Sequence, residues 1–415
     1  MLLSTYTMFP SASAVTLALL LAFGLLTLWH PARWPLSLFQ AGIFLLAALW
    51  GARLIRSPFP PRTGFPALPL AAATLWAALH LAFGWTVYRF PTWEALLYWS
   101  VATLLYLLAR QLFDDHPLRR RFLRALVFFA FALSVLASLQ YFSSQGRVFW
   151  IFPMPYATPL ATFQYRNDYS AFIELLFPVA LYEALKDRRR ALLFTAIAGV
   201  MYASVIAGAS RAGSVLVSLE ILLILLLARR AFPERGVRST LSRAALFAAI
   251  FTAVVGWQIV WGRFFQPDPY VGRRELLLSS IAMVRDRPLT GFGLGAWPTA
   301  YPAYALVDTG QFANHAHNDW AEWAAEGGLP LFLLMLSLAL WSLRPALRSV
   351  WGLGVPIFFL HCFVDYPTRR LPLAACLFIL LAALAASRSA PLFPRTETWY
   401  DCKCAPDGGA HEPAT

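Results

Sequence analysis

The chain has 415 residues, of which 59% are hydrophobic and 13% charged, with a mean hydropathy of +0.59. Soluble domains carry about 25% charged residues, so composition excludes an ordinary water-soluble enzyme and points to a helical protein that crosses a membrane many times. The net charge of +13 does not mark nucleic-acid binding, because the arginines fall between apolar runs and are not gathered on one face.

Twelve apolar runs predict twelve spans, near residues 13–28, 35–54, 66–84, 93–109, 122–141, 168–185, 191–209, 212–228, 244–261, 327–343, 350–364 and 371–386. The first run has no basic stretch before it and reads as a retained span, not a cleaved signal. Only Ser210 and Arg211 separate the seventh run from the eighth, which demands a tight turn. The connecting segments alternate in basicity. Arg53, Arg56 and Arg62, then Arg110 with Arg119, Arg120, Arg121 and Arg124, then Lys186 with Arg188, Arg189 and Arg190, fall on one side. Arg229, Arg230, Arg235 and Arg238, then Arg344 and Arg348, join them. The positive-inside rule makes that side cytoplasmic, with both termini there. Cys362 and Cys376 lie in apolar runs and Cys402 and Cys404 in the tail, so no disulfide framework follows. The tail from 389 to 415, rich in Pro and Gly, is expected to be disordered.

Two external segments are long, about 142–167 and 262–326, and loops of that size usually carry function. The second contains a helical stretch over 273–284 and then Gly291-Phe-Gly-Leu-Gly-Ala-Trp297. No strand precedes these glycines and their spacing is wrong for a dinucleotide fingerprint, so they predict a tight backbone turn.

Three of the helices that enter from the outside begin with a cationic or titratable residue. Arg166 precedes Asn167-Asp168, Arg211 precedes Ala212-Gly213-Ser214, and His317 precedes Asn318-Asp319. Helix N-termini present free N–H groups and partial positive charge, and guanidinium groups beside them suit a diphosphate. Plain capping by the aspartates, with arginines reaching for headgroups, is the alternative at each position. His317 lies just outside its helix, where an imidazole can act as a general base near neutral pH. Asp319 and Glu322 fit a capping box, and Glu322 and Glu326 share a face with Asp319. His315, His317 and Asp319 could instead be metal ligands, although the spacing is not that of zinc hydrolases. Glu174 and Glu220 lie deep inside spans, where an unpaired carboxylate is costly. His361 and Asp365, with Arg369 and Arg370, form a further polar group near the outer face.

The segments T-F-Q-Y-R-N-D-Y-S-A-F-I-E-L-L-F-P (162–178), S-R-A-G (210–213), R-D-R-P-L-T-G-F-G-L-G-A-W (285–297) and H-N-D-W-A-E-W-A-A-E-G-G-L-P (317–330) resemble, in that order, the O-antigen ligase and polymerase superfamily of bacterial envelope enzymes. The resemblance implies an all-α polytopic membrane glycosyltransferase, GT-C-like, with residues 1–388 as one transmembrane domain of about 12 helices. A periplasmic loop, 262–326, carrying short helices, would be inserted in it. It implies transfer of a glycan from an undecaprenyl-diphosphate donor to a hydroxyl acceptor (a glycan, lipid A-core or other hydroxyl) at the periplasmic face of the inner membrane. Arg166, Arg211 and Arg273 or Arg274 would bind the diphosphate, and His317 would activate the acceptor with inversion. Asn318, Asp319, Glu322, Glu326 and Glu174 would support them, with no metal or other cofactor and no nucleic acid involved. Ligase and polymerase are not separated by these motifs, and a protein O-glycosylating enzyme would look similar. From another class, a transporter of an anionic or lipid-linked substrate remains open, although no matching halves or midplane polar site are visible.

Overall fold

The computed structural model describes residues 2–154, 159–231, 236–256, 258, 261–262, 265, 271–307, 310 and 312–387. Residues 257, 259 and 260 near the end of the ninth predicted span, and the tail with Cys402 and Cys404, lie outside the described residues. Within them the chain forms α1 (Leu2–Leu26), α2 (Trp34–Arg56), α3 (Ala67–Phe83), α4 (Arg89–Leu112) and α5 (His116–Ser143). A short antiparallel hairpin, β1 (Arg147–Val148) with β2 (Phe152–Pro153), leads into α6 (Arg166–Lys186), α7 (Ala191–Ala207), α8 (Arg211–Ala231) and α9 (Val237–Val255). Then come α10 (Val271–Asp286), α11 (Trp297–Ala300), α12 (Asp319–Ser349), α13 (Gly354–His361) and α14 (Leu371–Ser387).

Among the described residues, six helices are long and apolar enough to cross a membrane, over Phe9–Leu26, Trp34–Arg56, Arg89–Leu112, His116–Ser143, Arg211–Ala228 and Asp319–Ser349. Three more, α3, α7 and α14, are apolar but shorter. The run at 350–364 folds as an eight-residue helix, α13, about 12 Å long at 1.5 Å per residue, because the chain turns on both sides of it. The chain is thus a mostly helical, multi-pass membrane protein; twelve complete spans remain an expectation. Leucines such as Leu19, Leu45, Leu75, Leu222, Leu333 and Leu340 stay exposed on the outer faces, as lipid-facing positions do.

Two helices form the centre. α14 is apolar all round and nearly every residue of it is buried, the pattern of a helix enclosed on all sides; it packs against α1, α2, α4, α6, α12 and α13. α6 is buried along almost its whole length and packs against α5, α7, α8 and α13. Its two ends differ chemically. At the C-terminal end Glu183 receives Arg120 and Arg124 from the start of α5, at 3.0 and 2.7 Å. The N-terminal end, about 30 Å away by helix rise, begins with Arg166 and carries the candidate site.

α12 is broken near its start. Gly328 has φ +67°, and an added Cβ there would lie 2.3 Å from the carbonyl oxygen of Leu289. Pro330 follows, with no N–H to donate. The 287–295 turn fills the break. Phe292 N–H donates to Ala325 O at 3.0 Å, Gly293 N–H to Glu326 O at 2.9 Å and Leu329 N–H to Pro288 O at 2.8 Å. Gly291, Gly293 and Gly295 all take positive φ, which is the tight backbone turn the sequence predicts.

Candidate active site

The turn between α13 and α14 gathers the polar residues. After His361 the chain runs through Asp365 and Tyr366 into a 3₁₀ turn, Pro367–Arg369, before α14 begins. The backbone N–H of Asp319, first residue of α12, donates to Cys362 O at 2.9 Å and Asp365 O at 3.2 Å. α12 is therefore seated directly on this turn. Its cap is Asn318, whose side-chain oxygen accepts from Ala321 N–H at 3.0 Å. The capping-box expectation is corrected here, since Asp319 is already helical and its carboxylate instead accepts from Thr368 N–H at 3.1 Å. The helix starts also differ slightly from expectation. Arg166 and Arg211 are the first residues of α6 and α8 and do not precede them.

His317 has φ +52°. A non-glycine residue in that region costs about 1 kcal/mol or more and needs its surroundings to hold it. Here Asp365 does so, with His317 Nδ1 lying 3.2 Å from its Oδ1, and the ring edge meeting Tyr366 at 4.8 Å between centroids. Asp365 is 4% exposed, and four groups converge on its carboxylate. Oδ1 also accepts from Tyr366 N–H at 3.0 Å, while Oδ2 takes Arg273 at 3.3 Å and the Asn167 side-chain amide. Burial pushes the Asp365 carboxyl up, but the His317 hydrogen bond and the Arg273 charge outweigh it and hold it at about 2.

Asn167 extends the network to α8. Its carbonyl oxygen accepts from Ser210 Oγ at 2.7 Å, and Ser210 Oγ accepts from Gly213 N–H at 3.1 Å. The α7–α8 connection is as tight as the sequence requires, with Ala209 at φ +52°. Gly213 lets α6 and α8 approach here, since a Cβ on it would sit 2.4 Å from Ser170 Cβ. The start of α6, the Arg273 guanidinium and the His317 imidazole thus meet at one carboxylate, and the start of α8, which bears Arg211, is joined to them through Ser210 and Asn167. Arg166 and Arg274 are exposed and Arg211 is half-buried.

The other predicted residues form a separate layer. Arg369 contacts Glu322 at 2.6 Å, Glu326 at 2.9 Å and Asp319 at 3.8 Å. The shared face of the three acids is thus taken up by one guanidinium, and they hold the 366–370 turn against α12. Burial alone lowers the Arg369 guanidinium; the three carboxylates keep it above its ordinary value. His315 Nδ1 lies 3.3 Å from Glu322, and its ring stacks on Tyr366 at 4.2 Å. His315, His317 and Asp319 therefore point to three different partners, and among the described residues no group of His, Cys, Asp or Glu is placed to hold a metal. Glu174 lies deeper, paired with His361 at 2.9 Å, and does not touch the arginines. Glu220 is fully buried, with neither carboxylate oxygen hydrogen-bonded among the described residues. Arg370 contacts Asp168 at 3.4 Å.

Residues 186–336 match the family model described as O-antigen ligase. That match, over about a third of the chain, supports the O-antigen ligase superfamily for this segment. No curated protein matches the chain. The O-antigen ligase segment runs from the end of α6 into α12 and includes Arg211, Arg273, Arg274, His317 and the three acids of α12. Arg166, Asn167, Asp365 and Arg369 lie outside it. Sequence reasoning missed the position of Asp365, which it placed only beside His361 as a weaker polar pair. The available signal was an acid directly after an apolar run in a chain with 21 acidic residues in all.

Proposed function

We propose that the protein transfers a glycan from an undecaprenyl-diphosphate donor to an acceptor hydroxyl, as an inverting O-antigen ligase-type enzyme. The observation that carries this reading is Asp365, which binds His317 through one carboxylate oxygen and Arg273 through the other. A carboxylate accepting from Nδ1–H fixes the tautomer, so Nε2 is the basic nitrogen offered to a substrate. Nε2 takes the proton of the acceptor hydroxyl as its oxygen attacks the anomeric carbon. The bond from that carbon to the diphosphate oxygen breaks, and the electron pair leaves with undecaprenyl diphosphate. Arg273, with Arg166 and Arg211 at two helix starts, neutralises the charge that develops on the leaving group, so no metal is needed in this scheme. Arg274 is the less favoured partner of the pair, because Arg273 alone reaches Asp365.

We place the protein in the bacterial inner membrane, with both termini cytoplasmic and the site facing the periplasm. Support comes from Arg120, Arg124 and Arg188 to Arg190, which gather at the far end of α6 from Arg166, as the positive-inside rule requires. Lipid A-core, a growing polymer and a protein hydroxyl are all acceptors compatible with this chemistry. The deciding experiment incubates purified protein with an undecaprenyl-diphosphate glycan and each acceptor class, with and without EDTA. A new glycosidic bond that survives chelation and is lost in His317→Ala is the expected result. Substrate crossing vesicle membranes with no new bond would mean a transporter.

A further inference from the structure

A second cleft opens beside His315, with a volume of about 250 Å³. Its walls come from α2, α4, α12 and the start of α14, and include Gln40, Glu94, Tyr98, Trp99, His315 and Arg369. α2 and α4 lie outside the O-antigen ligase segment. Tyr366 links this cleft to the Asp365 side through the two histidines. His315, which lines the cleft, stacks on Tyr366 at 4.2 Å, and His317 meets the same ring at 4.8 Å. One aromatic ring thus joins the cleft to the proposed base.

The charges on the two sides differ. On the Asp365 side, Arg273 pairs with Asp365 and Arg370 with Asp168, and the start of α6 with its exposed Arg166 adjoins them. In the cleft both arginines are already matched, Arg33 by Glu94 and Arg369 by Glu322 and Glu326. A diphosphate entering there would meet carboxylates and no unmatched cation, which excludes the anionic half of the donor. What remains is a small concave site with indole and phenol rings and a few placed hydrogen-bonding groups. Carboxylate and amide oxygens accept from hydroxyls, and the ring faces pack on the C–H face of a pyranose. The cleft continues past Arg33 and Leu36 into a second recess beside His30 and Pro372, which gives a longer glycan room to run.

We propose that this cleft, between the N-terminal helices and the α12 start, holds the acceptor as an uncharged, hydroxyl-rich sugar. The assignment rests on the transferase reading above and adds a division of the two substrates between the cleft and the Asp365 side. The sugar arrives either on a lipid anchor or as a soluble glycan.

The test uses the full chain in nanodiscs free of sugar detergents, with a panel of neutral hexose and deoxyhexose oligosaccharides, free and as dodecyl glycosides, and undecaprenyl diphosphate as the donor-side probe. Binding is followed by tryptophan fluorescence in wild type, Glu94→Gln, Gln40→Ala and Arg273→Gln. The cleft variants are expected to raise the Kd of the bound saccharide about tenfold while leaving undecaprenyl diphosphate unchanged, and Arg273→Gln to do the reverse. Preference for the glycoside over the free sugar identifies a lipid-borne acceptor, and equal binding a soluble one. No saccharide bound by wild type at millimolar concentration overturns the proposal. So does loss of undecaprenyl diphosphate binding in the cleft variants, which would give the cleft to the donor. Failure of undecaprenyl diphosphate to bind wild type overturns the donor reading instead.

Discussion

Asp365→Asn is the sharpest single test of the site. The substitution keeps size and shape but cannot hold His317 and Arg273 at the same time as a negative acceptor. A carboxyl held at about 2 against an ordinary 3.8 reflects about 2.5 kcal/mol of net favourable interaction with its partners. If that interaction orients the imidazole and supports its positive charge in the transition state, removing it lowers kcat about 30- to 100-fold. The donor KM should move less, because Arg273 also holds Val364 O through a second nitrogen. The assay is initial-rate glycan transfer by purified protein in nanodiscs, with His317→Ala as the floor and a thermal melt to show that the variant folds. The sign of the pH dependence follows from the depressed value. The Asp365 contribution is complete above about pH 5 and drains only as pH falls through about 2, so the ratio of wild type to variant should stay flat through neutral pH. A folded Asp365→Asn protein within threefold of wild type would refute the positioning role.

Three further outcomes are expected. Arg211→Ala should weaken undecaprenyl-diphosphate binding by about tenfold or more, measured as the donor's Kd in titration. Arg369→Met should destabilise the fold by about 3–5 kcal/mol, because it leaves Asp319, Glu322 and Glu326 buried without their cation; denaturant melts in mixed micelles would read this. Gly213→Ala should cost about 1–3 kcal/mol and part the starts of α6 and α8, visible as a lowered Tm together with a raised donor Kd.

Much of this was legible in the sequence because membrane chemistry is restrictive. The starts of α6 and α8, at Arg166 and Arg211, lie within two residues of the runs predicted from 168 and 212, since an apolar run has few ways to begin, whereas α12 begins at Asp319, where the capping residues stand, eight residues before the apolar run predicted from 327. The helix over 273–284 appears as α10, and the glycine turn is where it was expected. Asp319, Glu322 and Glu326 do share a face, as helical spacing dictates. Their partner was not readable, because Arg369 is brought to them by a turn that local patterning does not specify. The same is true of Asp365, whose four contacts come from α6, the start of α10, the residue before α12's cap and the backbone of Tyr366. Long-range convergence of that kind leaves no mark in any one segment. The cap of α12 was misassigned by one residue because Asn318 and Asp319 are both competent, and only the docking of Asp319 N–H on the 362–365 carbonyls decides between them.

The break at Gly328 has a consequence for how substrates reach the site. Backbone bonds from the 287–295 turn weld the connection that follows α10 to the opening turns of α12, so the segment delivering Arg273 and the one delivering His317 ride on a common frame. A long insertion of this kind could have been a cover that swings over bound material; stitched main chain to main chain, it is a jaw already set. On the transferase reading proposed above, entry and exit are then left to the flanks, with the cleft beside α2 and α4 on one of them.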